Sequence, residues 1–217
     1  MLEAAYHNFM KINDQIFDKA ETYNAKVLVV TKYFDVLQTR EALAEVQDQV
    51  TFWALGENRI DDIIKKQLPR GLIHFIGNIQ SRRISDIAMH CSAVHSLSQP
   101  DHAEKFEKAL AAAGLKLDVF LQVNISGEDQ KLGCVPKDLP DLIKRTQQCP
   151  HINIVGVSSM GVGEFTYESK KQEFQQLIAL RDTHLPGKLI SAGTSRDYEI
   201  ALAQGIEVVR IGQHLFP

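Results

Sequence analysis

A single (β/α)8 barrel with an extra N-terminal helix is the fold this sequence predicts, and three observations carry the prediction. Eight short runs of β-branched and apolar residues alternate with stretches of helical periodicity along the chain. The clearest run, Val27-Leu28-Val29-Val30, is apolar on successive residues rather than on alternate ones, as suits a strand covered on both faces in a parallel sheet. No linker or shift in composition divides the 217 residues, so one domain over residues 1–217 is expected. Periodicity alone leaves closure of the sheet open, and a doubly wound open sheet is the alternative topology.

The first element is an amphipathic helix over residues 3 to about 22, with Tyr6, Phe9, Met10, Ile16 and Phe17 at helical spacing. Strand one, from Val27 to Thr31, ends abruptly in Lys32. A helix over Val36 to Val46 leads to strand two, Thr51 to Leu55, which Gly56-Glu57-Asn58 breaks before the stripe Ile60, Ile63, Ile64 and Leu68. Strand three is Leu72 to Ile76, followed by Gly77-Asn78 and a helix from about Gln80 to Met89. Strand four is Ala93 to His95. Ser98-Gln99-Pro100-Asp101 reads as a capping box with proline in the first turn, and Gly114 closes the helix it opens. Strand five, Leu117 to Val123, runs into Asn124 and a polar loop through Lys131-Leu132-Gly133. A helix bearing Leu139, Leu142 and Ile143 follows, with Pro136 and Pro140 tolerated only near its start. Strand six is Ile152 to Val157, and a helix spans Tyr167 to Asp182. Strand seven is Lys188 to Ile190, a short helix runs from about Asp197 to Ala203, and strand eight is Ile206 to Ile211.

Composition narrows the function. With 24 basic against 27 acidic residues the formal net charge is −3, no footprint for a nucleic acid backbone or an anionic membrane, so a small-molecule ligand is expected. No apolar run reaches the length of a spanning helix and the first residues lack the pattern of a signal peptide, so a cytoplasmic protein is expected. The three cysteines form no CxxC pair and the eight histidines show no metal-ligand spacing, so no metal is assigned.

The chemistry gathers at the C-terminal ends of the strands, where barrels display reactive groups. A lysine there, partly desolvated, would have its pKa lowered enough to form a Schiff base with an aldehyde. Solvation is the ordinary fate of a strand-end lysine, and this stretch alone leaves both readings open. Ser191-Ala192-Gly193-Thr194-Ser195 follows strand seven, and Arg210-Ile211-Gly212-Gln213 closes strand eight. Glycines that admit close backbone approach, hydroxyls and a helix start together suit a phosphate monoester, although a Gly-Thr-Ser turn also serves as an ordinary helix start. A lysine beside a phosphate cradle implies pyridoxal 5′-phosphate, or a phosphorylated sugar in an aldolase. Glu57, Asn58, His74 and Asn124, all at strand ends, are candidate lining residues. A helix N-terminal charge, a cap, a satisfied strand-end histidine and a turn residue are their other readings.

Taken in order, Val29-Val30-Thr31-Lys32, Gly56-Glu57-Asn58, His74 to Gln80, Val123-Asn124-Ile125-Ser126, Lys131-Leu132-Gly133 and Val209-Arg210-Ile211-Gly212 resemble the pyridoxal phosphate homeostasis proteins. Those are similar to the barrel domain of alanine racemase, and the likeness runs from about residue 26 to residue 216. The resemblance implies that Lys32 holds pyridoxal 5′-phosphate as a Schiff base. It also implies that Ser195 and the backbone of Thr194, Gly212 and Gln213 bind the phosphate, and that Arg210 faces the pyridine nitrogen. A charged arginine there keeps that nitrogen unprotonated and the ring a poor electron sink. The implied function is non-catalytic cofactor homeostasis; a monomer with apo-enzymes as recipients is the expectation, although the sequence itself names neither the recipients nor the oligomeric state. The alternative is a racemase-like enzyme, which would need a second domain to supply a tyrosine, and the sequence stops where such a domain would begin. The chain departs from the family pattern at Ala192 and Thr194, commonly methionines, at Arg82-Arg83, commonly Asn-Lys, and at Pro217, where relatives continue for a few residues.

Overall fold

The structure, a computed structural model, describes residues 12–126, 132–160, 164–212 and 214–216. Among these, eight parallel strands pair in chain order and close into a barrel as the eighth returns to the first. They are β1 (Lys26–Val30), β2 (Phe52–Glu57), β3 (Ile73–Phe75), β4 (Ala93–Leu97), β5 (Leu117–Gln122), β6 (Ile152–Ser158), β7 (Leu189–Thr194) and β8 (Val208–Ile211). Helices α2 (Val36–Val46), α3 (Ile60–Lys66), α4 (Ile84–His90), α5 (Pro100–Ala113), α6 (Leu139–Thr146), α7 (Tyr167–His184) and α8 (Tyr198–Ala203) each follow the strand numbered one lower. The extra helix α1 (Asp14–Thr22) buries Ile16, Phe17 and Ala20. It is tied down by the Asn13 N–H on the Leu215 carbonyl at 3.0 Å and by an ion pair from Lys19 to Glu199 of α8. Residues 3–11 of the predicted helix lie outside the described residues. No helix among the described residues is long and apolar enough to cross a membrane.

Successive strand residues point to opposite faces, and that parity builds two cores. Val27 and Val29 turn outward into the layer between strands and helices, where their burial is complete and stabilises by about 1.5–3 kcal/mol each. Leu28 turns inward with Ala54, Phe120 and Val208 to fill the barrel, with Trp53 and Leu189 packed against them. The same parity carries Val30 and Lys32 to the inner, C-terminal mouth.

The strands extend further into the mouth than their side chains predict. Gly56 and Glu57 belong to β2, paired to Val30 and Phe75, and β7 runs on through Ser191 to Thr194, paired to Val208 and Arg210. Small and polar residues read as loop, yet neighbours in a closed barrel keep their backbone groups paired. The Ser98 capping box does not form. Gln99 is the N-cap of α5 and makes no side-chain cap bond, so Pro100 alone marks the start. Gly114 does close α5, at φ +64°.

Candidate functional site

A cavity of about 660 Å³ opens at the C-terminal mouth. Lys32 reaches it from the end of β1, half-buried, its ammonium 4.9 Å from the centroid of the Tyr33 ring. From the far side of the barrel seam come Thr194 at the end of β7, Ser195 just after it and Gly212 after β8. The Gly212 N–H donates to Ser195 Oγ at 3.3 Å, so the two glycine-bearing loops are joined into one wall. Arg210, one pair of residues below Gly212 on β8, is buried yet lines the cavity and donates from Nη2 to the Ser159 carbonyl at 2.6 Å. Burial pushes its pKa down to about 10, opposed by Asp197, and it stays a cation at neutral pH.

Two buried ion pairs stand behind these walls. Behind the β7 loop, Asp197 Oδ1 accepts the Thr194 N–H at 2.6 Å and the Thr194 hydroxyl at 2.9 Å. Lys170 of α7, fully buried, lies 3.5 Å from Asp197 and 2.7 Å from Glu173. Gly193 makes the turn with φ +86°, where a Cβ would also come within 2.6 Å of the Ala201 Cβ, so only glycine fits. Behind the β1 loop, Glu57 is wholly buried and bonded to Lys66 and Thr31.

Of the residues expected from sequence, Lys32, Asn58, Thr194, Ser195, Arg210 and Gly212 share this one cavity. Thr194 lines it with its N–H and hydroxyl both committed to Asp197, which leaves the donors toward an anion to its neighbours. Gln213 lies outside the described residues. Three expectations need correction. His74 is not on the cavity wall: it lies two residues below Ile76, the residue just past β3 that is, and its Nδ1 sits 3.0 Å from His95 Nε2 inside the barrel. His95 in turn bonds Ser191 Oγ at 2.8 Å and stacks on Phe120. Burial holds His74 neutral, its pKa pushed down to about 3. Asn124 is buried and does not line the cavity, its N–H on the Cys134 carbonyl, and Gln122 two residues earlier takes the lining place. Glu57 points out of the barrel because parity opposes it to Asn58. The sequence reading missed Gln122, Asn78, Leu132, Met160 and Phe216 on the wall. The inward parity of β5 signals Gln122; nothing local signals Met160 or Phe216.

The residues fit pyridoxal 5′-phosphate: an amine for an aldehyde, the Ser195–Gly212 wall for a phosphate, and a buried guanidinium for a ring nitrogen. No group of three or more metal-ligating side chains occurs among the described residues.

The chain belongs to the class of the alanine racemase N-terminal domain, whose family model matches residues 1–216. Within that class the chain belongs to the pyridoxal phosphate homeostasis protein family. It is 37% identical to the pyridoxal phosphate homeostasis protein of Pseudomonas aeruginosa over 199 residues, 88% of this chain and 83% of the relative. It is 30% identical to that of Aquifex aeolicus over 172 residues, 74% and 75% of the two chains. PipY of Synechococcus elongatus with pyridoxal phosphate bound superposes with a TM-score of 0.78 at 25% identity, covering 94% of this chain and all of that one. Alanine racemase of Clostridium difficile shares the fold at TM-score 0.74 and 13% identity, and this chain covers 60% of it.

Proposed function

We propose that this chain binds pyridoxal 5′-phosphate through Lys32 and serves its intracellular homeostasis without turnover of its own, as a single-domain cytoplasmic monomer that yields the cofactor to apo-enzymes. The observation that carries the reading is the meeting of Lys32, the Ser195–Gly212 wall and buried Arg210 in one cavity. The names of the relatives and the loaded PipY structure support it. Bound there, the cofactor supplies an electrophilic aldehyde and an electron-withdrawing ring. Lys32 offers the amine, Ser195 and Gly212 hold the phosphate, and Asn58 and Gln122 complete the polar lining.

A carrier role is supported by what the cavity wall is made of. Among the described lining residues there is no carboxylate, histidine or cysteine, so Lys32 and Tyr33 are the only side chains suited to proton transfer. Tyr33 is 74% exposed, its ring centroid 4.9 Å from the Lys32 ammonium itself. General acid/base help is worth about 10²–10⁴-fold, and without a placed second group turnover stays near that of the free cofactor.

The test is borohydride reduction of the protein saturated with pyridoxal 5′-phosphate, followed by peptide mapping. The adduct is expected on Lys32 and on no lysine in Lys32→Ala; an adduct elsewhere refutes the assignment. The racemase-like alternative is separated by deuterium exchange at the α-carbon of amino acids. Exchange well above that of free cofactor, lost in Lys32→Ala, would establish catalysis.

A further inference from the structure

We infer that Glu57 and Lys66 are positioning residues for Lys32: a buried charged clamp that fixes the turn from which the lysine reaches the cavity. The inference rests on the role of Lys32 proposed above.

Both side chains are withdrawn from water, at 0% and 3% exposure, on the outer side of the barrel between β2 and α3. A buried ion pair is seldom a net source of stability, because desolvating two charges offsets their attraction, and apolar replacements are often neutral or better. This pair is also incompletely satisfied, since Glu57 Oε2 is buried with no hydrogen-bond partner. Its retention calls for another reason, and the geometry supplies one.

Every remaining bond of the clamp converges on Thr31, the residue before Lys32. The Thr31 hydroxyl donates to Glu57 Oε1 at 2.6 Å, and the Lys66 ammonium donates to the same oxygen and to the Thr31 carbonyl at 2.9 Å. The Phe34 N–H donates to that carbonyl as well, at 2.9 Å, closing a turn whose two central residues are Lys32 and Tyr33. Thr31 is held besides by its own N–H on the Gly56 carbonyl at 3.2 Å. The strand therefore ends in a residue gripped at side chain, N–H and C=O, and Lys32 projects from that anchor. Withdrawing Lys66 leaves the turn carbonyl with one donor; withdrawing Glu57 frees the threonine side chain and strands the ammonium.

The experiment separates positioning from bulk stability. The double variant Glu57→Gln/Lys66→Met removes both charges together, so that neither is left buried alone. Three quantities are measured on the full chain: melting temperature, affinity for pyridoxine 5′-phosphate, which lacks the aldehyde and reads the phosphate and ring contacts alone, and the rate of borohydride-fixed adduct formation at Lys32 with pyridoxal 5′-phosphate. Melting and pyridoxine 5′-phosphate affinity are expected to stay near wild type, while adduct formation slows on the order of ten- to a hundredfold, the scale of a misplaced reacting group. An unchanged adduct rate, or an equal loss for both ligands, overturns the inference. Should the double variant not fold, Thr31→Val, which deletes one hydroxyl and leaves the pair, is expected to slow the adduct severalfold with the pyridoxine 5′-phosphate affinity intact; no slowing overturns it equally. Wild-type protein that forms no adduct at Lys32 refutes the reading of the site itself, which distinguishes that failure from failure of the clamp.

Discussion

Replacing Asp197 by alanine removes the support under the β7 loop without touching the cavity wall itself. Its carboxylate is 3% exposed and accepts two bonds from Thr194, the N–H at 2.6 Å and the hydroxyl at 2.9 Å. Hydrogen bonds to a charged group contribute roughly 1.5–3 kcal/mol each, but the half-exposed threonine hydroxyl has water to turn to. Lys170 keeps Glu173 at 2.7 Å, so the substitution strands no cation. The expected loss is therefore about 2–4 kcal/mol, dominated by the N–H left without an acceptor. For a chain of this length that corresponds to roughly 5–15 °C in melting temperature. Asp197→Asn retains an acceptor oxygen at the same place and is expected to lose about half as much. Amide hydrogen exchange gives the local readout: Thr194 should be protected in wild type and in Asp197→Asn, and exchange fast in Asp197→Ala. Equal melting of Asp197→Ala and wild type, or Asp197→Asn as damaging as alanine, would refute this account.

His74 makes stability pH-dependent. It is neutral in the fold, its pKa held at about 3 against 6.5 when unfolded, so the unfolded chain takes the proton first and stability falls as pH drops from 6.5 toward 3. By pH 5 this one group should cost about 2 kcal/mol relative to pH 8, read from urea midpoints, and His74→Gln should reduce the loss. His95, lowered by burial as well, acts in the same direction. All three cysteines are buried, and desolvation raises the Cys91 thiol to about 12 and Cys134 to about 11; native protein should resist iodoacetamide until it unfolds, and rapid native labelling of Cys91 would contradict its burial. Gly193→Ala combines a φ of +86° with a clash on Ala201 and should destabilise by about 2–4 kcal/mol in denaturant titration, whereas Gly187→Ala, with open space around it, should lose only the strain of its own φ of +76°.

The barrel was legible because parallel strands buried on two faces leave unbroken apolar runs, and Val27 to Val30 is such a run. Element limits failed where the backbone, not the side chain, decides: Gly56-Glu57 and Ser191 to Thr194 look like loops and are paired strands. At the site, Lys32, Ser195, Gly212 and Arg210 could be found because each ends a strand or starts a helix. Strand-end position did not reveal orientation, and inside/outside parity separates Asn58 on the wall from Glu57 behind it. The same parity, followed along β3, places His74 in the core. The clamps escaped notice because Lys66 and Lys170 sit on helices among other charged residues, where a solvated lysine is the default.

The floor of the barrel gives the chain an optical property. Its one tryptophan, Trp53, is set edge-on against His74 with ring centroids 4.6 Å apart, and the Lys26 ammonium lies 5.0 Å from its ring. Asn58 on the cavity wall lies five residues further along, just past β2, about 16 Å away along the strand direction. A pyridoxal chromophore fixed at Lys32, as proposed, would absorb where tryptophan emits, and the indole would serve as a resident energy donor held at one distance and in one orientation. Loading and unloading of the cavity would be visible in the emission of the unlabelled protein. Were the cofactor handed to an apo-enzyme, as proposed, the transfer could be timed by the light that returns as the cavity empties.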